Sequence, residues 1–309
     1  MKKLILIFLA LTLALSMLAC TQTTTPPAGS DIPGETNANG DPVGTPGTSN
    51  PTSIILTFNG TKLETSVQDT GITVDGSAFV ITRGGSYELR GDLSGGQIRV
   101  AVGKDAEVEL ILNNFTASNN TSAPLYIEST NEVTIFLAAG SVNTLTDATL
   151  YQYANPAEDK PNACLYSSDD MKIEGTGTLN INGKYNNGIG CKNDLRIKDC
   201  TLNITAPNNM LKGNDSVEIE NATVKLSGGE DAIKSDTADR TDKGYILIAS
   251  GSKVEINCID DALQAAMSIT VEAGCTVTGT CGGDALNCPG TINASETAMQ
   301  ITSSAQPEA

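Results

Sequence analysis

From Leu165 onward the chain repeats one pattern of apolar and polar positions. A single aliphatic residue returns as Leu165, Ile189, Leu211, Ile233, Leu263 and Leu286, at spacings of 24, 22, 22, 30 and 23, with Leu125 as an earlier, looser member. Six and eight residues after an anchor come the pairs Met171/Ile173, Leu195/Ile197, Val217/Ile219 and Ile269/Val271. About 13 and 15 after it come Leu179/Ile181, Leu202/Ile204, Val224/Leu226 and Met299/Ile301. Alternation of this kind marks a strand with one buried face, and the Gly, Asn, Asp and Ser between the pairs are turn formers.

Three short strands per 22–24 residues cannot enclose a core of their own, so successive coils must stack. The pattern predicts an all-β fold, a right-handed parallel β-helix (solenoid) with three short strands per coil. A β-sandwich also has regularly spaced strands, but it gives no reason for the same phases to recur coil after coil. Two polar interruptions account for the long steps. Residues 235–244 lie within the 30-residue step, and residues 148–162 lie within the 40-residue step from Leu125.

The first residues do not share the pattern. Lys2 and Lys3 precede an apolar run over 4–18 that is 15 residues long, short of the roughly 20 a spanning helix needs. Residues 1–20 therefore form a secretory signal peptide. Met17-Leu18-Ala19-Cys20 resembles a bacterial lipobox, which makes Cys20 the lipidated first residue of a secreted, membrane-anchored lipoprotein facing the extracellular side. The alternative is an ordinary signal cleaved nearby, with Cys20 incidental. Residues 21–53 hold six of the 12 prolines and no Lys or Arg, a composition that cannot bury enough apolar surface to order itself. As a tether it would reach roughly 30 Å. Residues 54–309 are then one domain.

Charge narrows the range of partners. The chain has 19 basic and 36 acidic residues, and loss of Lys2 and Lys3 leaves a mature charge near −19. Such a field repels nucleic acid and anionic lipid, and an acidic polysaccharide too unless a cation mediates. With no histidine, Ser-His and Cys-His catalysis and histidine-ligated zinc are excluded. The cysteines show no C-x-x-C spacing. Cys191, Cys200, Cys258, Cys275, Cys281 and Cys288 share parity with the inward aliphatics of their strands, so they belong in the core as small hydrophobes. Cys258 and Cys281, each five before an anchor, would stack about 4.8 Å apart, either as a disulfide or as a ladder of free thiols.

Stacking converts sequence phase into columns. Two before the anchors stand Asn187, Asn209, Asp231, Asp261 and Asp284, and three before them Asn186, Asn208, Glu230 and Asp260. Four after come Asp169, Asn193 and Asp215, flanked by Asp170 and Asp194, with Asp236 at a neighbouring phase. Asp and Asn are good turn residues, which explains much of this. The paired acids Glu230-Asp231 and Asp260-Asp261 in consecutive coils go further, because carboxylates stacked so closely repel unless water screens them or a cation sits between them. Ca²⁺ is the natural cofactor, as it takes six to eight oxygen ligands in flexible geometry.

Several segments carry a family resemblance. Asn208-Asn209-Met210-Leu211-Lys212-Gly213, Glu230-Asp231-Ala232-Ile233-Lys234-Ser235-Asp236 and Asp260-Asp261-Ala262-Leu263-Gln264 resemble the recurrent D-G-I-K signature of a bacterial surface family. Pro161-Asn162-Ala163, Ser168-Asp169-Asp170-Met171-Lys172-Ile173 and Gly183-Lys184-Tyr185-Asn186-Asn187-Gly188-Ile189 do the same. The family is that of calcium-bearing, carbohydrate-binding parallel β-helix proteins, similar in fold to pectate lyases of polysaccharide lyase family nine, and the likeness covers most of residues 73–284. It implies binding of plant cell-wall polysaccharide, acidic pectin in particular. It also implies calcium at Asp231, Asp261 and Asp284, with Asp169, Asp170, Asp194, Asp215 and Asp236 as further ligands. This chain departs from the signature at Met210, Ala232, Ala262 and Ala285, which replace its glycine, and at Asn209, whose neutral side chain weakens a cation site in that coil.

Three functions follow as expectations. The first is a non-catalytic, calcium-dependent binder of acidic pectin or polygalacturonate, and of cellulosic glycans by extension. Neutral sugars would need aromatic platforms, for which Tyr151, Tyr153, Tyr166 and Tyr185, in and beside the 148–162 insertion, are candidates alongside a packing role. The second is a calcium-assisted pectate lyase working by β-elimination, with Lys212 or Lys234 as the base at the uronate C5. Both lysines are also explained as solvated outward residues of a strand. The third is a surface adhesin or scaffold that binds a protein partner.

Overall fold

The repeating aliphatic phases stack on one another. In the computed structural model, which describes residues 53–153, 157 and 160–304, the secondary structure is β throughout, with 28 strands and no helix among the described residues. All of these residues belong to a unit running from Gly47 to Ala309. The signal segment, Cys20 and all but the last residue of the 21–53 tether lie outside the described residues. Among the described residues no helix is long and apolar enough to cross a membrane.

Leu125, Leu165, Ile189, Leu211, Ile233, Leu263 and Leu286 pair in turn along parallel strands. A second register runs Met171, Leu195, Val217, Ile246, Ile269, Ile292. A third runs Leu179, Leu202, Val224, Val254, Val277, Met299. Each strand of the repeat thus hydrogen-bonds to the third strand on from it. The anchors lie in a sheet of ten strands, the other two registers in a sheet of eighteen, and together the sheets nearly close around an axis. Members such as Leu165, Ile173, Leu195, Val217 and Leu263 are wholly or almost wholly buried, and each contributes about 1.5–3 kcal/mol relative to exposure.

The 235–244 insertion moves one coil out of phase. Ile246 and Ile248 take the second-strand positions, although they follow the Ile233 anchor by 13 and 15 residues rather than six and eight. Turn chemistry also repeats in space. Asp199 and Asn221 adopt positive φ of 56° and 48° at equivalent corners, a conformation that short Asx side chains tolerate. Asn221 Nδ2 donates to Asp199 Oδ1 at 2.7 Å.

The beginning of the domain departs from the simple coil. Ile54–Asn59 pairs antiparallel with Lys62–Thr65 and parallel with Gly85–Ser94, and Ile72–Asp75 forms a hairpin with Ala78–Ile81. Phe58, Phe79 and Phe115 cluster here, with ring centroids 5.2 and 5.6 Å from Phe58. Solenoids need such atypical ends because the terminal coil has a neighbour on one side only.

Candidate functional site

The turns entering the anchor strands gather the acids. Asn187 Oδ1 accepts from the Asn209 amide at 3.2 Å, Asp231 Oδ1 from the Asp261 amide at 3.2 Å, and Asp261 Oδ1 from the Asp284 amide at 2.7 Å. Each side chain therefore caps a backbone N–H one coil further on, which is the structural reason for Asx residues at this phase. Asp261 Oδ2 also accepts from Asn287 at 2.6 Å and Gln264 at 3.2 Å, and Asp231 Oδ2 accepts from Lys234 at 2.9 Å.

A denser cluster lies within this column. Asp231, Asp260 and Asp261 offer one carboxylate oxygen each within 4.8 Å of one another; Asp231 and Asp261 are buried and Asp260 is exposed. The space exists because position 283, where Glu230 and Asp260 stand in the coils before, is glycine. A Cβ there would lie 2.5 Å from Asp260 Oδ1 and 2.6 Å from Asp261 Oδ1. The residual desolvation of Asp260, and then the fields of Asp261, Asp231 and Glu230, push its pKa above the ordinary carboxylate value. One coil before Asp231, the 4 % exposed Asn209 leaves its Oδ1 without a hydrogen-bond donor. Hard oxygen donors, mutual repulsion and a cradle held open by glycine suit calcium. Asp231, Asp260 and Asp261 are the residues that would hold it, with Glu230 and the exposed Asp284 at the margin.

The aspartates after the anchors have a different fate. Asp169 is buried, ion-paired to Lys104, and accepts the Thr130 amide at 3.0 Å. Asp194 accepts from Lys243 at 2.6 Å and Ser216 at 2.7 Å; Asp215 lies 3.7 Å from Lys243 and 3.9 Å from Arg240. Asp236 pairs with Lys212 at 2.5 Å, and Asp170 Oδ1 accepts the Asp194 amide at 3.3 Å. Burial acts to raise the Asp194 pKa, but hydrogen bonds from Lys243 and Ser216 overcome it and hold the value low. Expected as metal ligands, Asp169, Asp194, Asp215 and Asp236 already have cations. Two of these, Lys243 and Arg240, come from the 235–244 insertion, which the repeat marked only as a loop.

The tyrosines pack largely against one another. Tyr151 is 6 % exposed, stacks on Tyr185 at 4.2 Å, and places its hydroxyl 2.7 Å from Asp147 Oδ2. Tyr153 lies 6.2 Å from Tyr151 and donates to Pro161 O at 2.9 Å. Tyr166 is 4 % exposed and tilts against Tyr126 at 5.9 Å. The buried rings of Tyr151 and Tyr166 lack the open face that a sugar platform needs, which confines that expectation to the half-buried Tyr153 and Tyr185.

One residue after each anchor forms an outward row on the ten-stranded sheet. Tyr126, Tyr166, Gly190, Lys212, Lys234 and Gln264 pair in succession. Lys212 and Lys234 are thus neighbours, each in an ion pair. Burial acts to lower the Lys234 pKa, yet the Asp231 hydrogen bond and the charges of Asp231, Asp236 and Asp261 raise it overall. The buried cysteines are thiols held by backbone: Cys258 donates to Asp261 O at 3.4 Å and Cys281 to Gly283 O at 3.3 Å, both unpaired as disulfides. Burial, aided by Cys281, pushes the Cys258 thiol up to about 12.

Comparison with known proteins gives concordant matches. A family model described as "Carbohydrate-binding domain-containing protein" matches residues 75–307. A protein of that same description from Acetivibrio thermocellus is 36 % identical over 241 residues, covering 78 % of this chain and 83 % of the relative. A solved polysaccharide lyase-like protein from C. thermocellum, studied as a gadolinium derivative, superposes with a TM-score of 0.78. It is 37 % identical and covers 81 % of this chain and 100 % of the neighbour.

Proposed function

This chain belongs to the family of carbohydrate-binding domain-containing proteins, and from that premise we propose that it is a non-catalytic, calcium-dependent binder of acidic plant cell-wall polysaccharide, pectin or polygalacturonate. The stacked three-strand repeat is read as a right-handed parallel β-helix, held at the bacterial cell surface by a lipid on Cys20. One observation carries the functional reading: the gathering of Asp231, Asp260 and Asp261 around the space left by Gly283. A protein with 36 acidic and 19 basic residues repels a uronate chain. Calcium bound at those aspartates would supply the positive charge that reverses the repulsion.

The test is sedimentation on insoluble polygalacturonate with calcium and with a chelator. Retention with calcium and a loss of about tenfold or more in affinity on chelation is expected, in line with the loss of a charge-assisted contact. Equal binding in both conditions defeats the calcium mechanism.

A second reading is suggested by the neighbour described as polysaccharide lyase-like, namely β-elimination with Lys212 or Lys234 as base. A base must be unprotonated, and here the Asp231 hydrogen bond and neighbouring carboxylates favour the charged form of Lys234, while Lys212 is engaged in an ion pair with Asp236. The binder reading therefore expects no rise in ultraviolet absorbance when purified protein meets polygalacturonate and calcium. A steady rise from unsaturated product establishes the lyase instead.

A further inference from the structure

The outward row on the ten-stranded sheet has a gap in it. Between Tyr166 and Lys212 the row position is Gly190, and beside that missing side chain lies a pocket of about 170 Å³. Its wall includes Lys160, Asn162, Tyr166, Lys192 and Lys212. The glycine is what keeps it open: a Cβ at 190 would meet the Ala163 Cβ at 3.0 Å, Tyr166 Cδ2 at 3.3 Å and Asn162 Oδ1 at 3.6 Å. The φ of Gly190 is not positive, so backbone conformation alone does not demand glycine here.

The charge of the pocket is opposite to that of the molecule. Three lysines converge on it in a chain whose acids outnumber its bases 36 to 19. Lys198, Lys234 and Lys243 elsewhere each have a carboxylate within 3.1 Å, and within the pocket Lys212 has Asp236. Among the described residues, Lys160 and Lys192 have none within ion-pair distance. Two lysines with no carboxylate partner among the described residues, beside the Asn162 side-chain amide, form a receptor for an anionic oxygen ligand. Covalent chemistry is not indicated: the Cys191 thiol in the wall is pushed up to about 12 by burial and donates to Asp169 O at 3.1 Å.

We propose that this pocket is a carboxylate subsite, which takes one uronate of an acidic polysaccharide directly on Lys160 and Lys192, without a metal. The inference rests on the acidic-glycan reading above and adds a second, cation-independent point of attachment to it. The two points lie along one face. Gly190, Lys212 and Lys234 occupy adjoining strands, Lys234 bonds Asp231, and each strand step is about 4.8 Å, close to the length of one sugar ring. An extended uronate chain could thus place one carboxylate in the pocket and later ones beside Asp231, Asp260 and Asp261.

The experiment compares wild-type protein with the double variant Lys160→Gln/Lys192→Gln, in saturating calcium, on polygalacturonate and on fully methyl-esterified pectin. Lys192 is exposed and Lys160 half-buried, and neither has an ion pair among the described residues, so folding is expected to be unaffected. The variant should bind polygalacturonate about tenfold more weakly, since each surface ion pair is worth up to a few-fold. Its calcium affinity and its binding of the neutral ester should stay at wild-type values. A variant that binds polygalacturonate as tightly as wild type, or that loses the ester to the same degree, overturns the carboxylate subsite while leaving calcium-dependent binding standing. Wild-type protein that ignores polygalacturonate even with calcium defeats both readings.

Discussion

At the scale of single residues, Gly283 and Asp260 decide what the acidic turn can do. Replacing Gly283 by Ala puts a methyl carbon 2.5 Å from Asp260 Oδ1, so the carboxylates must move apart although the backbone φ there is not positive. Calcium affinity measured by titration calorimetry should fall about 10–100-fold, the range for losing a group that orients ligands, while the far-ultraviolet spectrum stays unchanged. Wild-type affinity in Gly283→Ala removes this site from consideration. The pH dependence follows from two aspartates with opposite shifts. The Asp260 pKa is raised in the fold, so its contribution is complete below the unfolded value of about 3.9 and is lost as pH rises through the folded value. The Asp194 pKa is lowered, so its contribution is present above the unfolded value and lost as pH falls through the folded one. Calcium-free protein should thus gain stability from Asp260 on mild acidification, and Asp260→Asn should flatten that gain; an identical pH profile for the variant contradicts the assignment.

At the scale of elements, the insertion at 235–244 supplies two cations, Arg240 and Lys243, to acids of the preceding coils. Lys243 reaches back to Asp194 and Asp215 from 49 and 28 residues away in sequence, and its side chain is only 17 % exposed. Lys243→Met keeps the aliphatic stem but leaves the Asp194 carboxylate, 10 % exposed, with the Ser216 hydroxyl and a distant Arg196. A loss of roughly 1–3 kcal/mol in urea unfolding is expected, the cost of removing a hydrogen bond to a charged group. Lys198→Met, whose partner Glu220 is far more exposed, should cost under about 1 kcal/mol. Equal costs for the two variants would show that the insertion has no special role.

At the scale of the whole molecule, charge and stacking act together. Parallel coils concentrate acids that are distant in sequence, so the folded state raises local negative charge that the unfolded chain disperses. A cation that binds the native form alone stabilises it by mass action. Calcium at about 100 times its dissociation constant should therefore add about 2.7 kcal/mol and raise the melting temperature, whereas potassium at matched ionic strength should add far less. No calcium-specific rise in a thermal scan would remove cation binding from the account.

How much of this was legible beforehand depends on whether a feature is periodic. The anchors, from Leu125 to Leu286, and the three acidic columns could be aligned by counting, because in a parallel stack sequence phase becomes spatial register. The buried positions of Cys191, Cys200 and Cys258 followed from strand parity in the same way. The row at one residue after each anchor was equally regular, yet only Lys212 and Lys234 stood out in it, since a glycine such as Gly190 carries no chemical signal until its neighbours are known.

The sequence by itself determined the strand phases, the direction in which each aliphatic points and the turn residues, since these depend on local alternation and on one repeat length. Only the tertiary structure decided which cation each acid meets and which acids come together. Asp169, Asp194, Asp215 and Asp236 are answered by Lys104, Lys243, Arg240 and Lys212, cations that lie between 24 and 65 residues away from them in the chain. Among the described residues Asp231, Asp260 and Asp261 have a single ion pair, that of Asp231 with Lys234, and keep their oxygens together because a coil further on has no side chain at 283. Pairing across the insertion and the absence of one methyl group are facts of three-dimensional proximity, and no repeat in the sequence encodes them.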